Sequence, residues 1–373
     1  MSRTVKKVRG AIAHRPRVAD ARRIVIKIGS RTLASDESAI ARLAHSIAQL
    51  HADGRHVVLV SSGAIALGMA KLGFARRPKE MARLQAAAAA GQSLLMRSYE
   101  EAFSAEKIAV AQVLLTHSDL ANRERANNAR AALGALIDAK AVPILNENDS
   151  VATDEIRFGD NDQLASMVVP LVDADLLILL SDVEGLLDSN GVRVATVSDV
   201  ARDATPHIRA STSNVGTGGM ASKVEAARRA TMAGADVVIG DARQVGAIEA
   251  ICAGEDVGTH FVVSESPLGA RKVWIAFTLR PKGDIVLDAG AAKAVKNSGK
   301  SVLSVGVLGV RGSFAAGDSV RILDTAGAEI GRGLARCSAV DALAVAGSSK
   351  TDLPATHAEF AVLIHRDELV VFR

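Results

Sequence analysis

Short apolar runs alternate with longer stretches rich in Ala, Leu, Arg and Glu between residues 24 and 255. Near-continuous apolar strands that are separated by helices are typical of βαβ units around a parallel sheet with both faces covered. The pattern predicts strands at 24–28, 56–61, 109–115, 142–146, 176–180 and 236–240, and helices at 36–53, 81–104, 119–140, 160–172 and 220–234. We therefore expect an α/β fold with an open, mostly parallel sheet sandwiched by helices.

The pattern changes near the segment SESPLG (264–269), which has the composition of a linker. Several short strands with closely spaced Gly and Asp turns follow it, which is typical of a small β-barrel or sandwich. These strands are predicted at 284–288, 302–310, 318–323, 330–335 and 359–364. The expected organisation is a basic N-terminal extension (1–23), an α/β domain (24–266) and a small β-barrel-like domain (271–373).

The positive charge of the chain is concentrated at its N-terminus. The net charge is +4, but residues 1–23 alone carry eight Lys or Arg and one Asp. The basic charge is therefore not the footprint of a nucleic-acid-binding body, and an aromatic content of 3% argues against extended base stacking. We interpret residues 1–23 as a disordered extension, or as the result of an alternative start site, rather than as a transit peptide.

Cysteine content and hydropathy favour a cytoplasmic protein without a membrane span. The only two cysteines, Cys252 and Cys337, have neither metal-ligand spacing nor the pattern of a disulfide framework, which suits a reducing compartment. The longest uncharged stretch, residues 56–70, has 15 residues, whereas a membrane helix needs about 20.

Polar and small residues follow the first two predicted strands, where ligands bind in open parallel sheets. Lys27 lies within the first strand and precedes Gly29 and Ser30, so it either meets an anion or extends its ammonium into solvent. The second strand leads into SSGAIALG (61–68), whose small residues could form an anion site at a helix start or could simply cap that helix.

Two clusters of Asn and Asp and one Gly-rich segment come later in the chain. Seven Asn or Asp residues lie between Asn146 and Asp162, more than turns and caps require, so they could bind an ammonium group or position catalytic lysines. The segment GTGGMASK (216–223) could wrap phosphate oxygens with its N–H groups or could be only a flexible loop. No P-loop or GxGxxG fingerprint follows a predicted strand.

Taken together, these segments resemble the amino-acid kinase family over residues 24–270. The resemblance is carried by VIKIGS (25–30), SSGAIA (61–66), NEND (146–149), GDND (159–162) and GTGGMASK (216–223). Residues 271–373 resemble a PUA domain. The resemblance implies ATP-dependent phosphorylation of the γ-carboxylate of L-glutamate to L-glutamyl 5-phosphate, the first step of proline biosynthesis.

The resemblance also implies a role for each matching position. Lys27 and Lys223 would stabilise the transferring phosphoryl group, and Asp162 would hold the two lysines. Glutamate would be bound by Ser62, Gly63, Asp149, Asp160 and Asn161. ATP would be contacted by Lys27, Gly29, Ser30, Ser181, Asp182, Thr217, Gly218, Gly219, Met220, Ala221, Ser222 and Lys223.

The implied cofactors and partners follow from this chemistry. ATP would be a co-substrate, and Mg²⁺ would be held mainly through its phosphates rather than by a protein metal site. The resemblance further implies a homo-oligomer (dimer or tetramer), feedback inhibition by proline and transient coupling to glutamyl-phosphate reductase. No membrane or RNA partner is expected. Two alternatives are another kinase of the family, acting on a different amino acid or carboxylate, and an RNA-binding regulatory protein that acts through the PUA-like domain.

Overall fold

The structure is a computed structural model that describes residues 15–36, 38–152, 161–208 and 219–372. The chain divides into two compact units, with the division between Pro267 and Leu268.

The first unit is built on an eight-stranded sheet in the order β3-β4-β2-β1-β5-β7-β8-β6. All neighbouring strands are parallel except β7 and β8, which are antiparallel. This arrangement confirms the predicted open, mostly parallel sheet. The strands are β1 (Arg23–Ile28), β2 (His56–Val60), β3 (Val110–Leu115), β4 (Val142–Glu147), β5 (Leu176–Ser181), β6 (Thr196–Val197), β7 (Asp236–Asp241) and β8 (Thr259–Phe261).

Helices cover both faces of this sheet. Because side chains alternate across a strand, Val25 points to one face and Ile24 and Ile26 to the other, so each face has its own apolar core. The helices are α1 (Pro16–Ala19), α2 (Ser30–Ser35), α3 (Ala39–Ala52), α4 (Ala64–Lys71), α5 (Met81–Ala105), α6 (His117–Ala121), α7 (Arg123–Asp138), α8 (Asn161–Val168), α9 (Met220–Met232) and α10 (Ala247–Cys252). Helices α8 and α9 pack on the Val25 face, and α3 and α5 on the opposite face.

All six strands predicted in this unit are present, with ends within one residue of the prediction. Strands β6 and β8 were not predicted. They contain only two and three residues, so they carry too little alternation to be distinguished from a loop.

The interpretation of residues 1–23 as a disordered extension is wrong for its last third; residues 1–14 lie outside the described part of the chain. Arg15 is buried, and its guanidinium donates to Asp256 Oδ1 (2.6 Å) and to the backbone oxygens of Val257 (2.7 Å) and Ala195 (3.0 Å). Arg17 Nε donates to the buried Asp236 Oδ2 at 3.0 Å. The basic composition suggested a disordered segment. Arg15 and Arg17 instead pair with carboxylates more than 200 positions away, which local composition does not indicate.

The second unit is rich in strands, as expected. A five-stranded sheet has the order β11-β9-β12-β13-β15, and β10 pairs with β14. One apolar core includes residues from both sheets and from two helices that were not predicted. The elements are α11 (Ala270–Val273), β9 (Gly283–Leu287), α12 (Ala289–Ser298), β10 (Val302–Leu303), β11 (Val307–Gly312), β12 (Ser319–Leu323), β13 (Glu329–Leu334), α13 (Ala339–Ala344), β14 (Val362–Ile364) and β15 (Leu369–Val371).

None of the helices in the described ranges combines the length and the apolar character needed to cross a membrane. Cys252 and Cys337 are both buried and free.

Candidate active site

Two lysines from distant parts of the chain share one carboxylate at the carboxyl ends of the central strands. Lys27 Nζ, on β1, lies 2.6 Å from Asp162 Oδ1, and Lys223 Nζ, on α9, lies 3.0 Å from Asp162 Oδ2. Asp162 is the second residue of α8 and is fully buried. Lys27 is an odd-numbered residue of β1, so its side chain leaves the sheet on the Val25 face, where α8 and α9 pack.

The electrostatics of this group keep Asp162 ionised. Burial opposes ionisation of a carboxyl group, but the charges of Lys27 and Lys223 outweigh it and hold the pKa of Asp162 below its ordinary value. The group therefore carries two positive charges and one negative charge. The surplus positive charge is largely shielded from water. Its attraction for a phosphate is therefore stronger than it would be in water.

Backbone N–H groups border the two lysines. Gly29 follows Lys27 after one residue, and a Cβ placed on it would lie at an ordinary contact distance, 3.8 Å, from Lys27 Nζ, so the backbone here is close to the ammonium. Gly219 is the N-cap of α9, and Met220, Ala221 and Ser222 form the first turn of that helix before Lys223. The N–H groups of a first helical turn lack intrahelical partners and attract anions.

A second polar group adjoins the first because Asn161 precedes Asp162 at the start of α8. The side-chain nitrogen of Asn161 lies within hydrogen-bond distance of three acceptors, which share its two N–H groups: the backbone oxygen of Ser61 (2.5 Å), Ser62 Oγ (2.9 Å) and Asn146 Oδ1 (2.9 Å). These acceptors lie at the carboxyl ends of β2 and β4. The start of α8 therefore connects the lysine group to a polar pocket between two neighbouring strand ends.

The turn between β2 and α4 orients Ser62 toward this pocket. Gly63 has φ +112°, a conformation that side chains disfavour, and it allows the strand to turn directly into the helix. Since Asn161 donates to the Ser62 oxygen, the hydroxyl proton of Ser62 remains available to donate to a bound anion. The pocket thus offers a hydroxyl donor next to a set of fixed amides.

Asp149 lies just after β4 and is partly buried. Burial raises its pKa to about 6, and the nearby charge of Arg77 offsets only part of that effect. A carboxylate with an elevated pKa gains most from a cation that binds beside it. Asp149 is therefore suited to receive an ammonium group.

Ser181 ends β5 on the other side of β1, and Asp182, which follows it, contacts two arginines. Asp182 Oδ2 pairs with Arg31 NH1 at 2.9 Å, and its backbone oxygen accepts from Arg243 NH2 at 2.8 Å. Arg31 follows Ser30 in α2, so this ion pair joins the turns after β1 and β5. Both arginines are more than half exposed, which leaves them accessible to a nucleotide.

Most of the residues predicted for the site are therefore found at one edge of the sheet. Those described are Lys27, Gly29, Ser30, Ser62, Gly63, Asp149, Asn161, Asp162, Ser181, Asp182, Gly219, Met220, Ala221, Ser222 and Lys223. Asp160, Thr217 and Gly218 lie outside the described residues.

Two residues that build the site, Gln92 and Tyr99, were not singled out from the sequence, whereas Asn146 belongs to the segment NEND (146–149) that was. Asn146 accepts from Asn161, while Gln92 and Tyr99 of α5 contact Asn146 and Ser61 respectively. The spacing of seven residues between Gln92 and Tyr99, which places both on one face of a helix, was the available signal.

Close packing of α4 on α5 was also missed. A Cβ placed on Gly68 would lie 1.7 Å from the backbone oxygen of Ala87, and one on Gly91 would lie 1.8 Å from that of Ala64. The two backbones are therefore in direct contact, which only glycine permits. Because α4 begins at Ala64, this contact positions the turn that carries Ser62.

Comparisons with known proteins agree with this architecture. The model of the amino acid kinase family matches residues 22–241, and that of the PUA domain matches residues 283–353. A solved N-acetylglutamate synthase from Neisseria gonorrhoeae shares part of this fold, with a TM-score of 0.50 and 18% sequence identity. The match covers 67% of this chain and 62% of the synthase chain, which is less than two thirds of it. The chain belongs to the amino acid kinase family.

Curated glutamate 5-kinases match along nearly the whole chain. Glutamate 5-kinase from Ralstonia nicotianae is 44% identical over 96% of this chain and 100% of its own length. Glutamate 5-kinase from Ralstonia pickettii is 44% identical over 95% of this chain and 98% of its own length.

Proposed function

We propose that the protein transfers the γ-phosphoryl group of ATP to the γ-carboxylate of L-glutamate, which yields L-glutamyl 5-phosphate for proline biosynthesis. The protein is a kinase of the amino acid kinase family with a C-terminal PUA domain. The observation that carries the proposal is the lysine pair on Asp162, directly beside the polar pocket around Asn161. The similarity to glutamate 5-kinases along the whole chain supports the choice of substrate.

The chemistry requires positioning and charge more than acid or base catalysis. A carboxylate is already a nucleophile at neutral pH, so no group has to remove a proton from it. Negative charge spreads over the oxygens of the phosphoryl group during transfer, and preorganised cations stabilise it. Lys27 and Lys223, each anchored on a different oxygen of Asp162, supply two such cations at fixed positions.

The polar pocket has complementary donors and acceptors for an amino acid. Asp149 would pair with the α-ammonium group of glutamate, and the hydroxyl of Ser62 would donate to a carboxylate. Asn161 would keep that hydroxyl in place through its bond to Ser62 Oγ. Since Asn161 and Asp162 are consecutive, the γ-carboxylate would lie next to the lysines when the α-groups are bound.

The site suits Mg²⁺ that arrives with ATP. Across residues 15–36, 38–152, 161–208 and 219–372, no three His, Cys, Asp or Glu side chains are grouped to hold a metal ion. The central carboxylate, Asp162, is already paired with two lysines. Mg²⁺ would thus be held mainly by phosphate oxygens and water, and it would neutralise part of the phosphate charge.

Regulation, assembly and location are part of the same proposal. An acyl phosphate is reactive, which favours rapid consumption by glutamyl-phosphate reductase. Proline would act as a feedback inhibitor, and the enzyme would work as a dimer or tetramer in the cytoplasm. Free, buried cysteines are compatible with a reducing compartment.

The decisive experiment measures ADP release with ATP and Mg²⁺ in the presence of glutamate, N-acetylglutamate, aspartate or carbamate. Glutamate is expected to give by far the highest kcat/KM, whereas a preference for another acceptor would refute the substrate assignment. Lys27→Ala and Lys223→Ala should each lower kcat by at least about 100-fold, the effect of removing one preorganised donor. Lys71→Ala, at the exposed end of α4, is the control and should keep full activity.

A further inference from the structure

Helix α5 supports the polar pocket from the sheet face opposite the two lysines. Tyr99 and Leu95 of this helix lie in the apolar core on the Ile24 face, whereas α8 and α9 lie on the Val25 face. Two polar side chains of α5 nevertheless reach groups that contact Asn161.

The first contact joins Tyr99 to the strand end before Ser62. Tyr99 is fully buried, and its hydroxyl lies 2.7 Å from Ser61 Oγ. Ser61 Oγ lies 3.3 Å from the backbone oxygen of Ser62, and when its proton is directed there, the Tyr99 hydroxyl donates in the bond between the two hydroxyls. Burial raises the pKa of Tyr99, which keeps its hydroxyl protonated. Tyr99 thereby fixes the strand end whose backbone oxygen accepts from Asn161.

The second contact fixes the amide of Asn146. Its nitrogen donates to Gln92 Oε1 at 3.0 Å, while its oxygen accepts from Asn161 (2.9 Å) and from the backbone N–H of Glu147 (2.9 Å). An asparagine amide can turn over and exchange its oxygen and nitrogen. The Gln92 acceptor disfavours the turned state of Asn146, because the Asn146 oxygen would then face Gln92 Oε1, and the Asn146 nitrogen would face the donors of Asn161 and Glu147.

We propose that Tyr99 and Gln92 are positioning residues for the amino-acid substrate, acting through Ser61 and Asn146 on the orientation of Asn161. The inference rests on the proposed function in that it concerns the same pocket. It adds that substrate binding in the pocket depends on two residues of α5 that act through Ser61 and Asn146. Tyr99 acts through Ser61 and Gln92 acts through Asn146, and both routes end at the side-chain amide of Asn161. Each residue therefore contributes to the orientation of that amide.

The test compares steady-state kinetics of three full-length variants with the wild type. Tyr99→Phe removes one hydroxyl and keeps the ring, while Gln92→Met removes the acceptor at similar volume. In each, KM for glutamate should rise about 3- to 10-fold, the scale of one lost hydrogen bond. The KM for ATP should not change, and kcat should stay within about twofold. Gln92→Glu keeps an acceptor for Asn146 and should restore KM toward the wild-type value.

A change confined to packing provides the control. Phe103 lies one turn further along α5, is fully buried and has its ring 6.4 Å from that of Tyr99. Phe103→Leu should lower the melting temperature and leave KM for glutamate unchanged. The proposal is overturned if KM is unaltered in both Tyr99→Phe and Gln92→Met, or if Phe103→Leu raises it equally.

The choice of substrate is separable from the role of α5. If the wild type prefers a different amino-acid acceptor, the proposed substrate is wrong, and the same KM comparison is made with the preferred acceptor. A selective rise in that KM would support the positioning role, and an unchanged KM would overturn it.

Discussion

Replacing Asp162 by Asn should strongly lower kcat and thereby test whether the carboxylate holds the two lysines in position. Asn has nearly the same shape but no charge, so Lys27 and Lys223 would repel each other without a carboxylate between them. With the ammonium groups displaced from their contacts of 2.6 and 3.0 Å, kcat should fall by about 100- to 1000-fold. Glutamate binding, which depends on the adjacent Asn161, should weaken much less.

The same substitution should destabilise the folded protein, because a buried charge loses its partner. Breaking a buried ion pair costs about 3–5 kcal/mol. For a domain of this size, that corresponds to a fall in the melting temperature of about 10 °C. ATP with Mg²⁺ brings new negative charge to the lysines, so it should raise the melting temperature of Asp162→Asn more than that of the wild type.

A matched control is Asp236, a buried carboxylate at the start of β7, on the sheet edge away from the lysines. It pairs with Arg17 (3.0 Å) and His260 (2.7 Å). Asp236→Asn should lower the melting temperature and keep kcat near the wild-type value. The reasoning is refuted if folded Asp162→Asn retains kcat within about threefold, or if Asp236→Asn loses as much activity.

Three further outcomes are expected. Because the pKa of Asp149 is raised to about 6, KM for glutamate should increase about tenfold per unit as the pH falls below 6, and Asp149→Asn should abolish this dependence. Gly91→Ala should destabilise the protein by at least about 1–3 kcal/mol in thermal or urea unfolding, since its Cβ would collide with the backbone of α4; equal stability would contradict the contact. Arg15→Ala should lower stability by about 1–3 kcal/mol and leave kcat unchanged, because Asp256 retains Arg193 and the Ala195 oxygen retains the N–H of His260, but the Val257 oxygen loses its donor; an unchanged melting temperature would show that the contact is not formed.

The hydrophobic pattern of the sequence was sufficient to predict the six longer strands of the first unit, but not β6 and β8. Parallel strands end at one edge of a sheet, so residues that follow strands in the sequence come together in space even when far apart in the chain. Lys27 lies near the end of such a strand, but its grouping with Lys223 on Asp162 was implied by the family resemblance; both lysines contact Asp162 in the structure. Their catalytic roles remain predictions.

The supporting contacts could not be predicted in the same way. The bond between Tyr99 and Ser61 depends on where α5 crosses the sheet, and the contact of Gly68 with Ala87 depends on how closely two helices approach. Both contacts depend on packing in three dimensions. A glycine or a tyrosine within a helical pattern does not by itself indicate such a contact, because these residues occur in helices for many reasons. The burial of Arg15 was obscured because its partners begin 180 positions later.

The partners of Arg15 also have a consequence for the order of events during synthesis. A ribosome releases the N-terminus first, so Arg15 emerges long before Ala195, Asp256 and Val257 exist. Strands β1 to β4 can pair while the rest is being made, but β5, which lies beside β1, must be added afterwards. The contacts of Arg15 can form only when about two thirds of the polypeptide has been translated, so the first described residue reaches its final place only when its own unit is nearly complete.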